Sequence, residues 1–282
     1  MSEQLHQPES QLTPEQAFQA GAEFLQHFGV EVNPAEQPEA FTAALAQLDP
    51  RYQGGRELVR WQLEADQTEW PEDTKQVIMR AAEGMRMLVP ETPLTGHYDV
   101  VIALGGARQS NLDRTRYAAQ AVHEGKANVD RLVVAGSKRK LNEQEQQNVA
   151  NYATGATTEA DLVAGAASTV AHETSDVNPE VHVIDSERAG TPDVVESVLQ
   201  AMKDRGELPE GSSVAAVTTQ IYQASTELDL ARVARKFGVT ETFTAGNPSD
   251  PKIVEARTPA TYLSEVLRTL RAAVNAAQAQ VE

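Results

Sequence analysis

Four loops in this sequence carry residue types able to meet a small ligand, and each follows a short β-branched run. They are Gly105-Gly106-Ala107-Arg108-Gln109-Ser110, Gly136-Ser137-Lys138-Arg139-Lys140, Ser186-Glu187-Arg188-Ala189-Gly190-Thr191 and Thr218-Thr219-Gln220-Ile221-Tyr222-Gln223. Glycine lets backbone come close to a ligand, so Gly105 and Gly106 are expected to form one wall of a site; the plainer reading is a tight turn. Arg108, Arg114, Gly136, Thr191, Thr218 and Tyr222 are the expected further contacts. The window 108–140 holds eight Lys and Arg residues against three Asp and Glu. That local excess points to an anionic partner bearing phosphate or carboxylate, held by cations and helix N-termini. Within it, Lys138-Arg139-Lys140 also reads as a solvated charge run. Thr191 is a natural N-cap ahead of Pro192, and capping accounts for it without a ligand; its place after a strand gives it a second role as a contact.

Several chemistries have no motif here. The chain has no cysteine, which excludes disulfides, thiolate nucleophiles and thiolate metal sites. Gly105-Gly106 is neither a G-x-G-x-x-G fingerprint nor a phosphate loop ending in Gly-Lys-Ser/Thr, and no G-x-S-x-G elbow occurs. The histidines, His6, His27, His97, His123, His172 and His182, show no i, i+4 pairing, so no metal is expected. Glu143 and Glu145 offer a general base, but they open a polar helix where the dipole favours acids anyway.

The elements that must position these loops alternate. Strand-like runs at 98–104, 131–135, 181–185, 214–218 and near 240–244 are separated by helical patterns at 111–124, 141–172, 192–205 and 226–237, with a terminal helix from Pro259. Five strands alternating with helices predict a mainly parallel sheet with right-handed crossovers, covered on both faces. In such a sheet ligands sit beyond the carboxyl ends of the strands, where all four loops converge. The first 96 residues differ. Thr13-Pro14-Glu15-Gln16 forms a capping box, and helical patterns follow at 39–48, 56–65 and 71–88. The predicted organisation is therefore an acidic, mostly helical region over 1–96 and an α/β domain over 97–282.

The net charge of −17, with 41 acidic and 24 basic residues, argues against nucleic-acid binding, which needs a basic face. The N-terminus lacks a basic, then apolar, leader, and no run reaches the ~18 apolar residues of a membrane span, so a cytoplasmic protein is expected.

From Tyr98 to Ala273 the order of motifs resembles the YdcF/SanA/ElyC-like family of bacterial proteins. The matching positions are Val101-Ile102-Ala103-Leu104-Gly105-Gly106, Arg114 or Arg116, Val134-Ala135-Gly136, Ala189-Gly190-Thr191-Pro192-Asp193, Val217-Thr218-Thr219 and Tyr262-Leu263-Ser264-Glu265. The family's Asn before Thr is Gly190 here, its following Glu-Asn is Asp193-Val194, its His is Tyr222 and its Arg is Ser225. The resemblance implies a Rossmann-like three-layer α/β fold, a link to cell-envelope processes, and S-adenosylmethionine or another nucleotide-like molecule as the ligand. The expected function is binding of, with or without group transfer on, a small anionic or nucleotide-like metabolite at the rim; catalytic residues are not assigned. The alternative, favoured by Tyr222 and Ser225 where relatives keep His and Arg, is an inactive scaffold that meets a protein partner through the N-terminal helices. Trp61 and Trp70 could anchor that partner, but packing against the α/β domain is the favoured reading for both, since large aromatics are usually buried.

Overall fold

The structure, a computed structural model, describes residues 11–48, 70–106, 109–147, 151–187, 189–249, 251–255 and 257–280. Arg108, Trp61 and the helix expected at 56–65 lie outside them. The chain divides into two compact units, each discontinuous in sequence. One holds Glu91–Thr219 and Val233–Asn247; the other holds Ser10–Pro90, Gln220–Arg232 and Pro248–Glu282. Segments 220–232 and 248–282, read from sequence with the α/β domain, therefore lie with the helices of residues 10–90, not with the sheet.

In the first unit five strands form one all-parallel sheet: β1 (Gly96–Leu104), β2 (Ala127–Ser137), β3 (Glu180–Ile184), β4 (Ser213–Thr219) and β5 (Glu241–Asn247), in spatial order β3-β2-β1-β4-β5. This is a Rossmann-like α/β architecture. Both faces of a parallel sheet are covered, so its central strands are apolar on successive residues. Val100, Val101, Ile102 and Ala103 of β1 and Val214, Ala215, Ala216 and Val217 of β4 are all buried. Val100↔Val214 and Leu104↔Ala135 fix the register of β1 against its two neighbours.

The helices follow from right-handed crossovers. α4 (Ser110–His123) leads from β1 to β2 and α6 (Glu159–Glu173) from β2 to β3, while α7 (Thr191–Asp204) leads from β3 back to β4. Leu112 and Ala118 of α4 and Val163 and Ala166 of α6 share one core with Val101, Ala103, Val134 and Val217. The stretch read as helical from 141 to 172 holds a short α5 (Glu143–Gln147) ahead of α6. Thr158 caps α6, and the carboxylate of Asp161 accepts the Thr158 N–H in return.

The second unit contains α1 (Pro14–His27), α2 (Pro38–Leu48), α3 (Glu72–Gly84), a single turn at Gln220–Tyr222, the first part of α8 (Gln223–Arg235), a short α9 (Pro251–Glu255) and α10 (Pro259–Gln278). The capping box at Thr13 is present: Thr13 Oγ1 accepts from Gln16 N at 3.2 Å and Gln16 Oε1 from Thr13 N at 2.8 Å. Phe24, Phe41, Leu45 and Ile78 pack with Leu263, Val266, Leu267 and Leu270 of α10. Gly21 permits this closeness, since a Cβ there would lie 2.9 Å from Leu270 Cδ2. Among the described residues no helix is long and apolar enough to cross a membrane.

One polar knot is buried in this unit. Arg86 adopts φ 60°, a left-handed conformation that costs a non-glycine residue energy. Its Nη2 lies 2.5 Å from Oε2 of the buried Glu227, whose Oε1 accepts the Leu12 N–H at 3.1 Å. Burial pushes the Glu227 carboxyl up to about 7, against the opposing pull of Arg86 and the Leu12 N–H. Between the ordinary value of 4.5 and about 7, the folded chain holds a proton that the unfolded chain has released. Stability from this group is therefore lost as pH rises through that window. In denaturant titrations from pH 5 to pH 8, the stability of wild type minus that of Glu227→Gln should fall by on the order of 2–3 kcal/mol, and a constant difference would contradict this assignment.

Candidate functional site

The strand order reverses between β1 and β4, because β2 and β3 extend to one side of β1 and β4 and β5 to the other. A crevice at the carboxyl ends of β1 and β4 is the expected ligand position in such a sheet. There Arg114, on the first turns of α4 and only 5% exposed, reaches beneath the Gly105-Gly106 turn. Its Nη1 donates to the carbonyls of Leu104 at 2.9 Å and Gly105 at 2.5 Å, and its Nε donates to Thr219 Oγ1 at 3.1 Å. One guanidinium thus ties the end of β1 to the end of β4. Asn111 completes the turn: its Oδ1 accepts the Gly106 N–H at 3.1 Å and its Nδ2 donates to the Gly106 carbonyl at 2.5 Å. Tyr152 hydrogen-bonds to Asn111, and burial pushes its phenol well above the ordinary value.

Both glycine N–H groups are engaged by protein, Gly105 N by the Ala135 carbonyl at 2.6 Å and Gly106 N by Asn111. Their lack of a side chain serves packing. A Cβ on Gly105 would lie 2.7 Å from Glu159 Oε1 and 2.8 Å from the Ala135 carbonyl; one on Gly106 would lie 3.1 Å from Arg114 Nη1. Gly136 is constrained likewise, with Val163 Cγ2 at 2.6 Å from such an atom. The N-terminus of α4 beside the turn has no side-chain cap. The first turn carries the positive end of the helix dipole.

The expected residues separate by position. Gly105, Gly106, Arg114 and Gly136 gather around the ends of β1 and β2. Thr218 is buried in β4, while its neighbour Thr219 is the one that meets Arg114, because successive strand residues face opposite sides. Thr191 is the first residue of α7, not its cap; Gly190 occupies that position, with its N–H donated to Asp193 Oδ2 at 2.7 Å. It follows β3, two strands from β1, about 10 Å away by strand spacing. Tyr222 belongs to the helical unit, where Arg268 lies over its ring.

The basic window is locally matched with acids. Arg116 forms a two-pronged pair with Glu173, Arg131 meets Glu207 at 3.2 Å, Lys126 meets Glu124 at 2.6 Å and Lys138 meets Asp185 at 3.1 Å. Arg139 pairs with both oxygens of Glu145 at 3.0 Å. Burial would lower the Arg139 pKa, but the hydrogen bonds and charge of Glu145 outweigh it and hold it raised. Glu145 is thus an ion-pair partner and also accepts the Asn142 N–H. Among the described residues, Arg114 is the buried cation at the turn.

Ser137, Tyr152, Asn111 and Glu159 carry no motif and were missed in the sequence. Glu159 Oε2 accepts from Ser137 Oγ at 2.5 Å and from Ser137 N at 3.3 Å, placing a carboxylate beside Gly105. At the opposite, amino end of the strands, ligating atoms of His97, Asp99 and Asp130 lie within 4.8 Å of one another. Strand register rather than helical spacing brings them together. His97 and Asp130 are exposed, and the Ser213 N–H and hydroxyl hold the Asp99 carboxyl below its usual range.

No family model matches the chain, and no solved structure matches it significantly. Over 97 residues it is 34% identical to "Uncharacterized protein Mb3814" of Mycobacterium bovis and to "Uncharacterized protein Rv3785" of Mycobacterium tuberculosis. That stretch is 34% of this chain and 27% of each relative, so the chain spans about a quarter of the length of the curated relatives it matches. Neither name states a ligand or an activity.

If packing fixes the two glycines, they should differ in tolerance. Gly105→Ala meets backbone and should cost about 1–3 kcal/mol in urea unfolding, whereas Gly106→Ala meets the end of a side chain and should cost less. Equal tolerance at both positions would contradict the packing account.

Proposed function

We propose that the chain binds a small metabolite at the β1/β4 crevice, through one anionic group placed on the first turn of α4. The observation that carries this reading is the reversal of strand order at β1 and β4 with the N-terminus of a 14-residue helix at that point. Arg114 supports it by placing a buried cation directly under the turn. The paired state of the described neighbouring cations favours a single phosphate or carboxylate as the anionic group. A nucleotide-like ligand, S-adenosylmethionine included, agrees with the resemblance to the YdcF/SanA/ElyC-like family. Group transfer on that ligand has no assigned catalytic residue, and the protein is read as cytoplasmic. A scaffold working through the N-terminal helices has less support, because α1, α2 and α3 turn Phe24, Phe41 and Ile78 into the core of their own unit.

Calorimetry with AMP, S-adenosylmethionine and ribose 5-phosphate tests the reading. At least one should bind more tightly than about 1 mM. Ser110→Asp places a negative charge on the first turn of α4, where it favours the helix but repels an anion. It should weaken binding about tenfold or more while leaving the melting temperature unchanged or raised. No binding by any of the three, or binding indifferent to Ser110→Asp, would overturn the assignment.

A further inference from the structure

Glu159 occupies space that three neighbouring positions leave for it. Gly105, just past β1, and Gly136, the penultimate residue of β2, lie one register step beyond the pair Leu104↔Ala135. A Cβ on Gly105 would lie 2.7 Å from Glu159 Oε1, and one on Gly136 would lie 3.3 Å from Glu159 Cγ. Ser137, itself 1% exposed, fixes the other carboxylate oxygen through its hydroxyl and N–H. A carboxylate in a first helical turn is often explained by capping, but in α6 that role is taken by Thr158 and Asp161. Oε2 of Glu159 is thus engaged, while Oε1 accepts no hydrogen bond from any described residue, and the residue is partly exposed.

The chemistry of that oxygen is restrictive. A carboxylate accepts hydrogen bonds and repels phosphate, so it does not hold the anionic end of a ligand. It lies against Gly105, and the first turn of α4 lies against Gly106, where a Cβ would sit 3.2 Å from Ser110 Oγ. The acceptor and the anion position therefore flank a two-residue turn whose Cα atoms are about 3.8 Å apart.

Resting on the rim reading above, we propose that Glu159 Oε1 accepts a hydroxyl of the ligand, so that the site takes a hydroxylated anion of the sugar-phosphate or ribonucleotide class. The anionic group sits on α4, the sugar hydroxyls on Glu159. Ser137 is a positioning residue that orients the carboxylate.

Affinity comparisons on the full chain test this: AMP against 2′,3′-dideoxy-AMP, and ribose 5-phosphate against 2-deoxyribose 5-phosphate, for wild type and Glu159→Gln. A hydrogen bond to a charged acceptor corresponds to about ten- to a hundredfold in affinity. Wild type should prefer the hydroxylated member of at least one pair by that factor, and Glu159→Gln should reduce the preference to about threefold or less. Equal affinities within both pairs in wild type, or a preference unchanged in Glu159→Gln, overturn the inference while leaving the rim reading in place. Failure of all four compounds to bind overturns the inference, and failure of S-adenosylmethionine as well overturns the rim reading with it. The wild-type comparison needs no variant, so it decides even if Glu159→Gln does not fold.

Discussion

A single guanidinium, buried where the strand order reverses, is the interaction on which the candidate site depends. Arg114 donates to the last carbonyls of β1 and to a hydroxyl at the end of β4. The Gly105 carbonyl lies past the end of β1, so it needs a donor from elsewhere, and a buried polar group without one costs about 1–3 kcal/mol. By meeting both strands, Arg114 fixes the distance across the crevice and the path of the turn, and therefore the start of α4. The partial positive charge at the α4 N-terminus is then directed at the crevice by the same residue that shapes it.

The strands and their order along the chain were legible because a sheet covered on both faces needs apolar residues at successive positions, and runs such as Val100-Val101-Ile102-Ala103 have no other ready explanation. The helix starts at Thr13-Pro14 and at Pro259 were legible for a local reason, since caps and first-turn prolines act within four residues. The division into units was not. Residues 220–232 and 248–282 join the helices of residues 10–90 through contacts with partners far away in sequence, such as Leu270 against Gly21. No local pattern records which core an amphipathic helix will enter.

The cluster of residues at the strand ends, the candidate site, was legible only in part. Loop positions pointed to Gly105, Gly106 and Arg114, since strand ends are visible in sequence. Glu159 lies 54 positions after Gly105 and meets it only through the pairing of β1 with β2 and the packing of α6. The charge of the 108–140 window misled for the same reason. Arg116 meets Glu173 and Arg131 meets Glu207, partners that a linear window excludes. Thr218 and Thr219 were indistinguishable as letters, and only the facing of the strand decides which hydroxyl meets Arg114.

Both proposals together require one geometry, with the anion on the first turn of α4, the hydroxyls on Glu159 and Gly105-Gly106 between them. A crystal structure of the full chain grown with ribose 5-phosphate tests it most directly. The predicted result is phosphate density within hydrogen-bonding distance of the N–H groups of Ser110 and Asn111, with a sugar hydroxyl on Glu159 Oε1. Sugar phosphate bound at another edge of the sheet, or a rim with no such density at saturating concentration, would contradict it.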